Sequence, residues 1–278
     1  MAAKKAVSST KKSTTTKSKT TTSTVKADVA ASMSFDTVIK ALKNTPLVGK
    51  VVAEFVGAFL LTAAFIEMQG NPLFVAFALA GVVLVVGGVS GAHVNPAATV
   101  GAWVTRKMNW LSAVSYIAAQ LLGAAVAVLV LNTFLKANSL TAAQIAAGAT
   151  EPTLYVANAV AAGKEWYVFF TELLGASILA FGVASAVKSL KNKTTAAFTA
   201  GFAILTALYI SMSLTTVLLD KSGVTLTFLN PAIALVSNGL SWNMWPISIY
   251  VIAPVLGGVA GFILQDFLAA NDNSGCDC

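Results

Sequence analysis

Charge is what this sequence has least of. Only 10% of its 278 residues are charged and 56% are hydrophobic, whereas about a quarter of a soluble domain is charged. The sequence has one histidine, His93, and two cysteines, Cys276 and Cys278. The cysteines form a Cys-x-Cys motif at the C-terminus, which is only weak evidence for metal binding or lipid attachment. Two cysteines in one tail exclude a framework of disulfides across the fold. An enzyme would need acids, nucleophiles or metal ligands that converge on one site, and the sequence has few such residues. We expect no catalytic site, metal or cofactor.

Long apolar runs are what the sequence has instead. A membrane-spanning helix needs roughly 20 mostly apolar residues, and six segments qualify: about 51–69, 73–91, 110–135, 166–187, 195–219 and 245–268. We therefore predict an all-α integral membrane protein. Its channel domain would cover residues 47–268, between a basic tail, 1–46, and a short C-terminal tail, 269–278.

Basic residues are distributed unevenly about these spans. Fifteen lie before the first span or in the second-to-third and fourth-to-fifth connections, and only Lys136, Lys164 and Lys221 lie on the other side. The positive-inside rule therefore predicts that both termini are cytoplasmic. The Lys-, Thr- and Ser-rich tail cannot bury enough apolar surface to fold. It would be a disordered segment that reinforces topology or contacts anionic lipid. Compact loops without disulfides favour a bacterial inner membrane or plasma membrane.

The two halves of the chain repeat one another. Three matches occur in the same order: AEFVGAFLL at 53–61 with TELLGASIL at 171–179, HVNPAA at 93–98 with FLNPAI at 228–233, and YIAAQLLGA at 116–124 with YVIAPVLGG at 250–258. Asn95 precedes Tyr116 by 21 residues, and Asn230 precedes Tyr250 by 20. Each half has three spans, so the second enters the membrane with the opposite orientation. We predict an inverted repeat.

The shared Asn-Pro-Ala triplets begin helices that are too short to span. The triplets are Asn95, Pro96 and Ala97 in the first half and Asn230, Pro231 and Ala232 in the second. Asn is a preferred N-cap and Pro is favoured at the first helical position. Irregular backbone at this depth persists only where it is buried in protein or lines water. Inverted symmetry would bring two positive helix ends to one point, which suits neutral hydrogen-bonding molecules and repels cations.

The chain resembles the aquaporin, or major intrinsic protein, family over roughly residues 48–268. The resemblance rests on four segments: SGAHVNPAATVG, AEFVGAFLL, YIAAQLLGA and YVIAPVLGG. The resemblance implies six transmembrane helices plus two re-entrant half-helices, with a pore for water or small neutral solutes in each subunit of a homotetramer. It implies that Glu54 and Glu172 accept N–H bonds from the half-helix loops. It places His93 beside the cytoplasmic half of the pore, where it satisfies loop carbonyls or gates by protonation.

The chain departs from this family at the pore constriction. An arginine usually follows the second triplet, but here the residue is Ile233, and Ala234 stands where the glycerol-conducting branch has Asp. The resemblance assigns the remaining constriction positions to Val75, Leu208 and Thr227. Phe74 or Phe77 would replace Val75 if the second span is shifted. The constriction would therefore lack charge.

The uncharged constriction leaves two kinds of pore open. A wide apolar ring would pass less polar neutral solutes, whereas a narrow one would dewet and shut, leaving a closed scaffold. The half-helix ends would still exclude protons. A secondary transporter would carry ion-coupling carboxylates near the half-helix tips, and none lies within several residues of Asn95 or Asn230.

Overall fold

A computed structural model describes residues 46–137, 140–149, 154, 160, 162–218, 227–237 and 243–271. The chain divides into two units, Met1–Lys40 and Ala41–Cys278. The first unit, with nearly all of the basic tail, lies outside the described residues, as do Cys276 and Cys278. The architecture below is that of the second unit.

Six long helical segments in the described part of the chain are apolar enough to cross a membrane, which confirms the predicted all-helical fold. Ten α-helices are described there: α1 (Pro46–Glu67), α2 (Pro72–Ser90), α3 (Pro96–Val104), α4 (Trp110–Ala137), α5 (Ala142–Ala146), α6 (Glu165–Lys188), α7 (Lys193–Leu218), α8 (Pro231–Val236), α9 (Met244–Ile247) and α10 (Ala253–Asn271). The half-helices are α3 and α8. The first span extends further towards the N-terminus than predicted, at least to Pro46.

The two halves pack in the same way. Helix α1 packs against α2 and α4, and α6 packs correspondingly against α7 and α10. Helices α2 and α7 meet between the halves. Each half-helix also contacts the last long helix of the other half, α3 with α10 and α8 with α4. The repeat in the sequence is therefore a repeat in the packing, and it brings both half-helices into the interior.

Glycines at equivalent repeat positions allow the closest helix contacts. A Cβ added to Gly123 on α4 would overlap the carbonyl oxygen of Phe55 on α1. A Cβ on Gly257 of α10 would overlap the carbonyl oxygen of Leu173 on α6 in the same manner. Small residues serve this purpose in membranes, where helix association depends on close packing. The first and last long helices of each half therefore cross backbone to backbone.

The sixth span is interrupted by a π-helical turn at Ser248–Ile252, which joins α9 to α10. Pro254 follows it and occupies the repeat position of Gln120. Proline has no N–H for the carbonyl four residues earlier, and its ring crowds that carbonyl. A wider turn relieves this conflict, and such turns usually occur as single insertions within α-helices. The hydropathy of the span gave no sign of the turn.

Polar and apolar side chains are distributed as in a lipid-facing bundle. Large apolar residues such as Phe77, Phe134 and Val217 are 64%, 72% and 80% exposed. Glu54 and Glu172, by contrast, are fully buried. Because an unpaired charge in the membrane interior is costly, these carboxylates identify where the polar interior of the fold lies.

Candidate functional site

Both Asn-Pro-Ala triplets cap their half-helices. The Asn95 side-chain oxygen accepts a hydrogen bond from the Ala97 backbone N–H at 2.8 Å, and Asn230 accepts from Ala232 at 3.0 Å. A proline stands at the first helical position of each half-helix. The side-chain oxygens thus satisfy backbone donors that every helix start leaves free.

The two asparagines also hold the opposite loop. Asn95 Nδ2 donates to the Leu229 carbonyl at 2.9 Å, and Asn230 Nδ2 donates to the Val94 carbonyl at 3.0 Å. Val94 and Leu229 have φ values of 42° and 56°, which non-glycine residues rarely adopt. An amide NH₂ has two N–H groups. Each asparagine therefore uses one to join the half-helix tips and retains a second for a molecule beside them.

Glu54 holds the first half-helix loop. Its carboxylate accepts four hydrogen bonds: from Ser90 Oγ at 2.7 Å, the His93 N–H at 3.0 Å, the Val94 N–H at 2.7 Å and Gln120 Nε2 at 2.6 Å. A buried charge is tolerated when it is hydrogen-bonded in this way. The carboxylate thus connects α1 and α4 to the loop that precedes α3.

Glu172 binds the backbone of the second half-helix loop in the same way. It accepts from the backbone N–H groups of Phe228 and Leu229 at 2.6 and 2.9 Å. No side-chain donor from the sixth span is available, because Pro254 stands where the first half has Gln120. The two halves therefore share the backbone N–H bonds to a buried carboxylate, and they differ in the side chain at the Gln120 position.

Gln120 belongs to the hydrogen-bonded site, and the sequence analysis missed it. Besides binding Glu54, its Nε2 donates to Thr99 Oγ1 on α3 at 2.9 Å, and the side chain is fully buried. Two signals were present in the sequence: a polar side chain within an apolar span, and a mismatch with proline in the repeat. Gln120 therefore hydrogen-bonds the half-helix α3 to α4, whereas Glu54 hydrogen-bonds the loop that precedes α3.

A narrow cavity lies between the half-helix tips. It offers about 10 Å³ to water, which is roughly the space of one molecule. His93, Asn95 and Asn230 supply polar side chains to its wall, and the remaining side chains are apolar, including Phe65 and Ile233. A molecule in this cavity meets the amides on one part of the wall and hydrocarbon on the rest.

The repeat places one aromatic ring from each loop in this wall. His93 and Phe228 are counterparts, and both line the cavity. The His93 ring lies against Tyr116 with centroids 5.7 Å apart, and the Phe228 ring lies against the equivalent Tyr250 at 5.3 Å. Phe228 also contacts Phe65 at 5.9 Å. The sequence analysis overlooked both phenylalanines, although the alignment of HVNPAA with FLNPAI contained the signal for Phe228.

Of the four residues predicted at the constriction, Ile233 lines this cavity. Val75, Leu208 and Thr227 are fully buried and do not contribute to its wall. In the described part of the chain, Thr227 Oγ1 has no hydrogen-bond partner. Their place at a constriction therefore stays a prediction.

The alternatives to Val75 in the second span are both largely exposed. Phe74 is 53% and Phe77 64% exposed. Phe77 also lines a shallow apolar groove with Phe198 and Phe202. These positions suit contact with lipid rather than with the cavity between the half-helix tips.

A larger cavity of about 660 Å³ opens beside the central one, and His93 lines both. We call it the basic vestibule, because Lys50, Arg106 and Lys107 lie in its wall. Lys107 Nζ donates to Asp266 on α10 at 2.6 Å. On this side, the central cavity is therefore reached through the basic vestibule.

Comparison with known proteins yields one consistent family. The family model described as "Major intrinsic protein" matches residues 40–264. Aquaporin AqpM of Methanothermobacter thermautotrophicus is 32% identical over 70% of this chain and 74% of its own length. Aquaporin NIP3-1 of Zea mays is 30% identical over 84% of this chain and 74% of its own length.

Solved structures agree on the fold. The aquaglyceroporin from Plasmodium falciparum superposes with a TM-score of 0.60, at 20% identity, over 82% of this chain and 99% of that one. Together with the six spans and the paired half-helices, these likenesses establish what the chain is. It belongs to the major intrinsic protein family and is a passive membrane channel for water or small neutral solutes.

Proposed function

We propose that this channel conducts water past the crossed tips of its two half-helices and passes larger neutral solutes poorly. The observation that carries the proposal is the size of the cavity between Asn95 and Asn230, about 10 Å³, which suits a single water. Asn95 and Asn230 both line this cavity, and the second N–H of each amide would hydrogen-bond that water in place of its lost neighbours.

The same tips would exclude cations and protons. The N-termini of α3 and α8 carry the positive ends of the helix dipoles, and the described wall of the central cavity contains no acidic side chain. A hydrated cation would lose its water shell without gaining an anionic partner. We therefore propose an ion-tight pore, although Ile233 replaces the cationic side chain usual in the family.

The residues around the tips have supporting roles in this proposal. Glu54 and Glu172 fix the loops through the N–H bonds they accept. His93 lies between the basic vestibule and the central cavity. Val75, Leu208, Thr227 and Ile233 would form the uncharged constriction predicted from the family resemblance.

A second candidate is a pore that stays shut. The phenyl rings of Phe65 and Phe228 narrow the cavity beside Ile233. An apolar constriction without enough room for a chain of waters closes by dewetting. In that case the protein would be an aquaporin-like scaffold and conduct nothing.

We propose further that both termini are cytoplasmic, because the basic connections would then lie inside. The channel domain would cover residues 47–268, with tails at 1–46 and 269–278, and the basic N-terminal tail would contact anionic lipid. The family resemblance supports a homotetramer with one pore per subunit. A bacterial inner membrane or plasma membrane is the proposed location. The family is one of channels, and we propose no enzymatic role.

Stopped-flow light scattering on proteoliposomes tests the proposal. Shrinkage in an impermeant osmolyte reports water flux, and reswelling in glycerol or urea reports solute flux. We expect fast water flux and slow solute flux. Glycerol entry as fast as water exit would identify a wide solute pore, and fluxes equal to those of empty liposomes would identify the closed scaffold. Ile233→Arg should reduce glycerol entry if that residue lines the constriction.

A further inference from the structure

The basic vestibule holds positive charge that the described part of the chain does not balance. Of its three cations, Lys107 is bonded to Asp266. Lys50 and Arg106 form no ion pair with any described residue, and no acidic side chain is among the described residues of the wall. Two cations in one concave space are therefore available to an anion.

The donors of the vestibule suit a phosphate group. Arg106 presents a planar guanidinium with five N–H donors, a geometry that matches phosphate oxygens. Asn109 and Ser112, near the start of α4, add neutral polar side chains to the same wall. A charge-assisted bond from arginine to phosphate is about twice as strong as a neutral hydrogen bond. A phosphate group would therefore bind more tightly here than a spherical anion such as chloride.

The vestibule is large enough for more than the phosphate itself. Its volume of about 660 Å³ falls within the range of small-molecule pockets, roughly 300–1,000 Å³. Trp103 and Phe262 line it as well, so an organic group attached to the phosphate would find an apolar surface.

We propose that the basic vestibule binds a phosphate group, presented by a small phosphorylated molecule or by a lipid headgroup, through Arg106 and Lys50. A phosphomonoester carries a charge of about −1.5 to −2 at pH 7, which Lys50 and Arg106 would balance; both are exposed and accessible to it. Because His93 lines both the vestibule and the central cavity, the bound group would stand in the path of water and slow it. Only this effect on flux rests on the proposed function; the binding does not.

Calorimetric titration of the purified full chain in neutral detergent tests the binding. The probes are inorganic phosphate and glycerol phosphate, at constant ionic strength set with chloride. Arg106→Gln should weaken saturable binding by about tenfold or more, since it removes a hydrogen bond to a charged group. Lys191→Gln is the matched control: Lys191 follows α6, is exposed, and does not line the vestibule.

Both variants retain the lysine-rich tail. Phosphate that binds to the tail would therefore bind equally to both variants, and a difference between them reports on the vestibule. Binding that Arg106→Gln leaves unchanged, or that Lys191→Gln weakens equally, would overturn the proposal. The absence of saturable binding to wild type would overturn it as well.

Water flux then tests the consequence for the pore and identifies the source of the phosphate. In vesicles of neutral lipid, phosphate on both sides should slow water flux several-fold in wild type but not in Arg106→Gln. Slowing by phosphatidic acid in the bilayer, without soluble phosphate, would identify a lipid headgroup; slowing by glycerol phosphate alone would identify a soluble molecule. Wild-type flux unaffected by bound phosphate would contradict a site on the water path. Absent flux in phosphate-free neutral vesicles would instead refute the proposed function.

Discussion

Replacing Phe228 with alanine should open the central cavity. Phe228 is 2% exposed, and its ring contacts Phe65 at 5.9 Å and Tyr250 at 5.3 Å. The rings of Phe228 and Phe65 line the central cavity, which leaves about 10 Å³ for water. Without the ring, the cavity would hold more than one water, and passing waters would keep hydrogen bonds to one another as well as to Asn95 and Asn230.

The size of the effect follows from those bonds. A hydrogen bond that passing water fails to make costs about 1 kcal/mol. Recovering two of them would lower the barrier by about 2 kcal/mol, which corresponds to a flux increase of roughly 30-fold. The wild-type cavity is too small to hold glycerol, so the glycerol flux should increase by a larger factor than the water flux. Losing a buried phenyl group costs about 3–5 kcal/mol in a dry core, and water that enters beside the Asn95 and Asn230 amides should keep the loss at the lower end.

The assay is stopped-flow light scattering with water and glycerol gradients, normalised to the amount of reconstituted protein. Phe134→Ala is the matched control, because it removes the same group from a side chain that is 72% exposed on α4. Phe228→His, which copies the residue of the first repeat, should raise water flux more than glycerol flux. A folded Phe228→Ala variant with wild-type fluxes for both molecules would show that this ring does not lie in the path.

Other substitutions probe the support of the half-helices. Gln120→Leu should lower stability by about 2 kcal/mol, because Glu54 loses a charge-assisted bond; unchanged thermal unfolding would contradict this role. Glu54→Gln should lower the unfolding temperature, since this carboxylate accepts four hydrogen bonds from the half-helix loop, α2 and α4; an unfolding temperature equal to that of wild type would argue against it. Gly258→Ala should cost about 1–3 kcal/mol and reduce water flux, because the new Cβ would overlap the Ala97 carbonyl. Gly81→Ala, with nothing within 4 Å, should be neutral or stabilising in the same denaturation assay.

Local sequence properties account for the parts of the fold that were predictable. Hydropathy located all six spans, since each is a continuous apolar run. The Asn-Pro-Ala triplets marked the starts of α3 and α8 because capping chemistry depends only on neighbouring residues. The internal repeat related the halves, and the corresponding helix pairs do pack alike.

Features that depend on contacts between distant residues were not predictable. The bonds from Asn95 to Leu229 and from Asn230 to Val94 join loops more than 130 residues apart. The places of Phe65 and Phe228 in the cavity depend on how the two halves meet. Gln120 could have been noticed as a polar residue in a span, but its two partners belong to different helices.

Osmotic water permeability of reconstituted wild-type protein, measured at several temperatures in neutral phosphate-free liposomes, tests the central claim most directly. Water that moves past Asn95 and Asn230 exchanges one hydrogen bond for another, so we predict a flux well above that of empty liposomes and a shallower temperature dependence. A flux and temperature dependence equal to those of the bare bilayer would contradict an open water path through the crossed half-helix tips.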